Sequence, residues 1–188
     1  MKEGARILGI DDSPFDHSDE RSFLTGVVYR GTELVEDIKK VDIRVDGENA
    51  TGKIMGLHDS CNNPGQITAI LLDGVSFAGF NVVDLDRTAE EAGKPVISVT
   101  PNEPDRKRFR QAMENSGNTD ENFGKLPEYS ELEMKDGTVY VQYSGCSFPE
   151  AEDIIRSSTI YGLVPEPIRV ADMIGSAFRE FETVKKEE

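Results

Sequence analysis

The sequence predicts an α/β fold: one mixed sheet of three antiparallel strands followed by parallel β-α units, with helices on both faces. Short strand-like segments with short connections open the chain. Near-continuous apolar runs then alternate with helix-like stretches, as in strands buried on both faces. Acids stand at the ends of two of these runs. The 188 residues suit a single domain over 1–188, with a core large enough to need neither disulfide nor structural metal.

Arg6 to Asp11 is a short apolar run ending in acid, and Ser13-Pro14 breaks it. Phe15 to Arg21 is polar and reads as a loop. Phe23 to Arg30 is β-branched and aromatic, and Gly31-Thr32 turns the chain. Leu34 to Val45 ends with Val41, Ile43 and Val45 alternating with polar residues, the period of a half-buried strand. Asn49 to Leu57 reads as a helix with Asn49 or Thr51 as N-cap. Ile67 to Gly74 is the most continuous apolar run. Asn81 to Ala92 reads as a helix with Val82, Val83 and Leu85 on its apolar side, stopped by Gly93. Pro95 to Val99 is a further buried strand, and Asp105 to Asn115 a basic helix. Ser116 to Glu128 looks irregular. A hairpin over about 130–144 turns at Asp136-Gly137. Phe148 to Ser158 and Ile168 to Val184 are helices, the second opened by Pro165-Glu166-Pro167; the tail 185–188 is expected to fray. Three antiparallel strands and right-handed crossovers make this order ribonuclease H-like, with the first strand central and the fourth parallel beside it.

Composition narrows function. Lys and Arg number 21 against 36 Asp and Glu, a net charge of −15. That balance opposes coating of nucleic acid through cations and docking on an anionic membrane. It leaves room for a local basic patch or a metal-bridged phosphate contact. Cys61 and Cys146 form no close pair, so neither a disulfide framework nor a cysteine zinc site is expected. No apolar run follows Met1 to Arg6, and Ala69 to Leu72 is too short to span a bilayer. A cytoplasmic protein without membrane contact is expected; self-association is left open.

The predicted topology brings the carboxyl ends of the first and fourth strands together. These carry Asp11 and Asp73, about 4.8 Å apart in strand spacing, at the rim where open α/β sheets place their sites. Oxygen-only ligands favour Mg²⁺ or Mn²⁺, and Asp46, Glu48 or Glu166 is available as a third acid. Either aspartate also suits a cap or turn. In the loop Gly74 to Asn81, Phe77 and Phe80 either line a pocket or plug the core, while Gly79 permits close approach. Gly79 to Asn81 would line a small pocket in a binding module. Arg106 to Arg110 either meets phosphates or is a solvated face. Glu166 is a further acid at the rim or a helix initiator, and Arg169 a substrate contact or the ion-pair partner of a nearby acid. His17 and His58 have no partner at metal spacing, and neither cysteine has an activating neighbour.

Gly9-Ile10-Asp11-Asp12-Ser13, Leu72 to Asp84, Pro95 to Val99 and Pro165 to Ala171 together resemble the archaeal "domain of unknown function 99" proteins, also called UPF0215. The resemblance runs nearly end to end. That family is similar to endonuclease V, a ribonuclease H-like, magnesium-dependent nuclease that cleaves near deaminated bases. The resemblance implies an endonuclease V-like fold, with Asp11 and Asp73 as metal-binding acids and Glu48 nearest to the glutamate that completes the set. The Pro-Gly-His-Arg of endonuclease V falls on Pro165 to Arg169, without its histidine. An acid is usual in the family where this chain has Asn49, and a histidine where it has Asp172. The resulting expectation is a divalent-metal-dependent nuclease or phosphoesterase acting on nucleic acid, using Asp11, Asp73, Glu48 and Glu166, with Phe77, Gly79, Phe80, Asn81 and Arg169 toward substrate. The alternative is a non-catalytic small-molecule or protein-binding regulatory module on the same fold.

Overall fold

The computed structural model describes residues 4–16, 18–118 and 121–187, with side chains described as far as Arg179. His17 lies outside the described residues. The chain runs β1 (Arg6–Asp12), β2 (Arg21–Arg30), β3 (Leu34–Arg44), α1 (Ala50–Ser60), β4 (Ile67–Asp73), β5 (Ser76–Phe77), β6 (Asn81–Val82), α2 (Leu85–Ala92), β7 (Val96–Thr100), α3 (Arg106–Asn115), α4 (Asn122–Lys125), β8 (Ser130–Met134), β9 (Gly137–Ser144), α5 (Phe148–Ser158) and α6 (Glu166–Glu187). The main sheet has the order β3-β2-β1-β4-β7-β9-β8. β1 is antiparallel to β2 and parallel to β4, β4 is parallel to β7, and the β8–β9 hairpin closes the far edge antiparallel.

Alternation along the strands feeds two cores, one on each face. Leu8 and Ile10 of β1 and Ile70 and Leu72 of β4 join Ile54 and Leu57 of α1 and Leu85 and Ala89 of α2. Ile7 of β1 and Leu71 of β4 point the other way, to Ala151 and Ile155 of α5 and Ile168 of α6. Gly9 sits on this second face, and a Cβ there would run into the backbone of Pro167. The missing side chain lets the first turn of α6 lie directly on β1, which fixes what α6 hangs over the rim.

Several elements differ from the sequence reading. The helix expected from Asn81 begins at Leu85, with Asp84 as its N-cap accepting from Arg87 N–H at 3.0 Å. Asn81 and Val82 instead form β6, which pairs with β5 in a small hairpin. Val82 and Val83 are core residues there, so their apolar character was read with the wrong period. Neither Asn49 nor Thr51 caps α1 with its side chain; Thr51 Oγ1 accepts from Asp84 N–H instead. The stretch expected to be irregular contains α4. The backbone stays helical through Glu187, where fraying was expected, and Glu188 lies outside the described residues. Among the described residues no helix is long and apolar enough to cross a membrane.

Candidate active site

The parallel pairing of β1 and β4 runs in register to Ile10 opposite Leu72. Asp11 and Asp73 are the next residues on each strand, at the same rim. Period-two alternation then decides their facing. Asp11 follows Ile7 and Gly9, and Asp73 follows Leu71, so both carboxylates turn to the α6 face. They open into a cleft of about 430 Å³ that is also lined by Ile168, Arg169 and Asp172 of α6 and by Tyr161. Asp11 is only 6% exposed; Asp73 is half-buried.

Burial pushes the Asp11 carboxyl up to about 8, helped by the charges of Asp73, Asp12 and Asp172 and opposed by a hydrogen bond from Asp12 N–H. Burial likewise raises Asp73 to about 6, with Asp12 and Asp172 adding to it. Each acid makes the neighbouring charge harder to carry. Among the described residues the one cation lining the cleft is Arg169, and it is held by Glu166 through three contacts of 2.5 to 3.1 Å. Across the ladder from Asp11, the buried Thr25 leaves its hydroxyl without a hydrogen-bond partner.

Asp12 has the opposite facing and a different role. Its carboxylate accepts a hydrogen bond from Ala78 N–H and so ties the loop after β4 to the end of β1. Burial raises its carboxyl, and that bond opposes the rise.

The other expected site residues fall elsewhere. Glu166 is buried and turned to Arg169. Glu48 is exposed in the turn between β3 and α1 and does not line the cleft. Asp46 accepts from Phe80 N–H, and its own N–H donates to the Ala78 carbonyl. Gly79, at φ 92°, faces that carboxylate so closely that any Cβ would overlap it. Phe77 is fully buried in the core, and Phe80 packs edge-on against Phe109. Asn81 is also fully buried. Its Oδ1 accepts from Asn49 and Ala50 N–H at 2.8 and 2.9 Å, and its Nδ2 donates to the Arg44 carbonyl. The loop Phe77 to Asn81 therefore forms core and caps α1 from a distance, rather than lining the cleft. The sequence reading missed Asp172 as a site residue. The available signal was its helical spacing, one turn beyond Arg169 on α6.

The donor set suits a hard divalent cation. Mg²⁺ commonly keeps several waters and takes only one or two carboxylates from the protein. Asp11 and Asp73 provide that pair, and a cation would relieve the crowding of charge among the four aspartates. Among the described residues no group of three or more His, Cys, Asp or Glu side chains is arranged to hold a metal ion, so the fit is to a two-carboxylate site. His58 lies on α1 with its ring beside Asp59. Burial raises both cysteine thiols, Cys61 to about 11, which is the wrong direction for a nucleophile.

A central strand ending in acid, a parallel neighbour ending in acid and a final helix crossing above them place this chain in the ribonuclease H-like class of endonuclease V. Structures of endonuclease V share its fold. That from Ciona intestinalis, in complex with a 24mer DNA containing an inosine followed by a ribo-adenosine, matches with a TM-score of 0.63 at 14% identity, over 99% of this chain and 88% of that one. Within that class, a family model described as Endonuclease dU matches residues 3–179, and the chain belongs to this family. Its UPF0215 relatives include a protein from Thermococcus gammatolerans, 36% identical over 194 residues, covering 99% of this chain and 98% of that one. A protein of unknown function from Archaeoglobus fulgidus has a crystal structure matching with a TM-score of 0.80 at 32% identity, over 92% and 97% of the two chains.

Proposed function

We propose that the chain is a divalent-metal-dependent phosphodiester hydrolase acting on nucleic acid. One observation carries this reading: buried Asp11 and half-buried Asp73 stand side by side, raised in pKa, and open into a cleft whose one lining cation among the described residues is already held by Glu166. Acids perturbed by burial and by specific charged neighbours in a cleft are the mark of a functional-site candidate.

Asp11 and Asp73 would hold Mg²⁺ or Mn²⁺. When bound, the ion supplies Lewis-acid activation of the scissile phosphodiester. Arg169, fixed by Glu166, presents its guanidinium to a phosphate oxygen, the geometry for which a planar fork is suited. Asp172 faces the same cleft from α6 and is our choice of third acid, accepting a proton from the attacking water. Glu48 stands outside that cleft and has no role in this scheme. The endonuclease V structures support the fold beneath this reading, and the description Endonuclease dU supports an oligonucleotide carrying a deaminated base as the first substrate to try.

The test is calorimetric titration of Mn²⁺ into the wild type, Asp11→Asn and Asp73→Asn, followed by incubation with oligonucleotides containing deoxyuridine, deoxyinosine or neither. Metal binding and cutting confined to the wild type are expected. Cutting that survives both substitutions, or an oligonucleotide left whole by a metal-loaded wild type, overturns the proposal.

A further inference from the structure

A second cleft lies away from the acid pair. It measures about 530 Å³ and is lined by Glu20, Arg21, Asp42, Arg44, Asn49 and Lys53, with Ile43 and Val45. β2 is antiparallel to β1, so its first residue stands at the rim where β1 and β4 end. β3 ends opposite it, with Arg44 paired to Arg21. This cleft and the acid pair thus share one rim, two strands or roughly 10 Å apart.

The cations here are placed against the interest of the fold. Arg21 and Arg44 are directly opposite in the ladder, where like charges destabilise. Lys53 follows the first turn of α1, at the end of the helix where a cation opposes the dipole, and that turn holds no acid. Glu20 and Asp42 line the same cleft, yet none of the three cations makes an ion pair or side-chain hydrogen bond among the described residues.

The rest of the molecule sharpens the contrast. Arg6, Arg30, Lys39, Arg87, Arg106, Lys125, Arg156 and Arg179 are all ion-paired. The other described cations with neither an ion pair nor a hydrogen bond are Lys107, Arg108 and Arg110 early in α3, which follows the end of β7, and Lys135 in the β8–β9 turn. The registers put the end of β7, from which the chain runs on to α3, and the β8–β9 turn at the same rim. Among the described residues, a chain of net charge −15 carries its cations that lack an ion pair or hydrogen bond toward the edge that holds Asp11 and Asp73.

We infer that the cleft between Arg21, Arg44 and Lys53 is a docking subsite for the phosphodiester backbone of a nucleic-acid strand laid along this rim. The inference rests on the reading of the rim as acting on nucleic acid and adds where the strand is held. A backbone phosphate between Arg21 and Arg44 relieves their repulsion, and Lys53 closes on it from α1.

The test is fluorescence anisotropy of a labelled single-stranded DNA oligonucleotide with the full chain in chelator, so that neither metal nor cleavage contributes. The variant Arg21→Ala/Arg44→Ala/Lys53→Ala should bind roughly tenfold or more weakly at low salt. Its dependence of log affinity on log salt should be shallower by about 2, from three lost contacts at ~0.7 each for single strands. Arg87→Ala/Arg156→Ala, which removes two ion-paired cations, should match the wild type in both. Arg21 and Arg44 are exposed and Lys53 is half-buried, and melting temperatures confirm that the variants fold. An unchanged affinity and slope in the triple variant, an equal loss in the control, or no binding by the wild type overturns the inference. Loss confined to the triple variant, in a protein that never cuts, keeps the subsite and removes the hydrolase.

Discussion

The two faces of the sheet treat their polar groups in opposite ways at the same rim. On the α1 face, Asn81, Asp46 and Asp12 are matched to backbone donors: Asn81 caps α1, Asp46 receives Phe80 N–H and Asp12 receives Ala78 N–H. On the α6 face, buried Asp11 and half-buried Asp73 stand beside each other, and among the described residues the one cation lining their cleft is already held by Glu166. The first arrangement is how a fold gives backbone donors and polar side chains their partners. The second stores unfavourable charge, which a bound cation would release. Polarity near a rim is therefore no guide to function; unmet polarity is.

The contrast can be broken most sharply on the α6 face. Asp11→Asn and Asp73→Asn should each lower hydrolysis on the order of 10³-fold, since the ion they hold contributes several kcal/mol to the transition state. Metal-binding heat should vanish with it while far-UV dichroism stays native. The α1 face should answer the other way. Asn81→Ala leaves the N–H groups of Asn49 and Ala50 at the start of α1 unmet and should cost about 2 kcal/mol, lowering Tm by roughly 4–8 °C. Its Mn²⁺ titration should match wild type after correction for the folded fraction. Gly9→Ala should cost a similar ~2 kcal/mol by forcing Pro167 off β1, and should slow turnover by moving Arg169 and Asp172 while the heat of metal binding persists.

A smaller effect follows from pH. Asp11 titrates near 8 in the folded chain against an ordinary 3.8, so across that interval the folded state holds the proton that the unfolded state has lost. Stability in chelator should fall as pH rises from roughly 4 to about 8. Thermal melts of Asp11→Asn should show a flatter profile over the same range, and a parallel profile would mean that the carboxylate is solvated rather than crowded.

Much of the fold was readable because it depends on local pattern. Period-two alternation in β3 and the apolar runs of β1, β4 and β7 specify strand type and facing without knowledge of neighbours, and so Asp11 and Asp73 could be placed on one rim. What escaped depended on contacts between distant segments. Asn81 was read into a helix because Val82, Val83 and Leu85 suit a helical stripe, and nothing local reveals that its amide caps a helix thirty residues earlier. Asp172 was passed over because its position above Asp11 depends on where α6 crosses β1, which is set by the contact between Gly9 and Pro167. Glu166 looked like a rim acid, but its partner is Arg169, one helical turn away.

The adjacent aspartates at the end of β1 point to opposite sides of one strand, and this makes position 12 a built-in control for position 11. An amide at 12 still offers an oxygen to Ala78, so Asp12→Asn should leave both melting and turnover close to native, whereas Asp12→Ala should loosen the Gly74–Phe80 loop and be seen as faster amide exchange there. Chemistry and architecture are thus dissectible one residue apart, with the same substitution telling them apart.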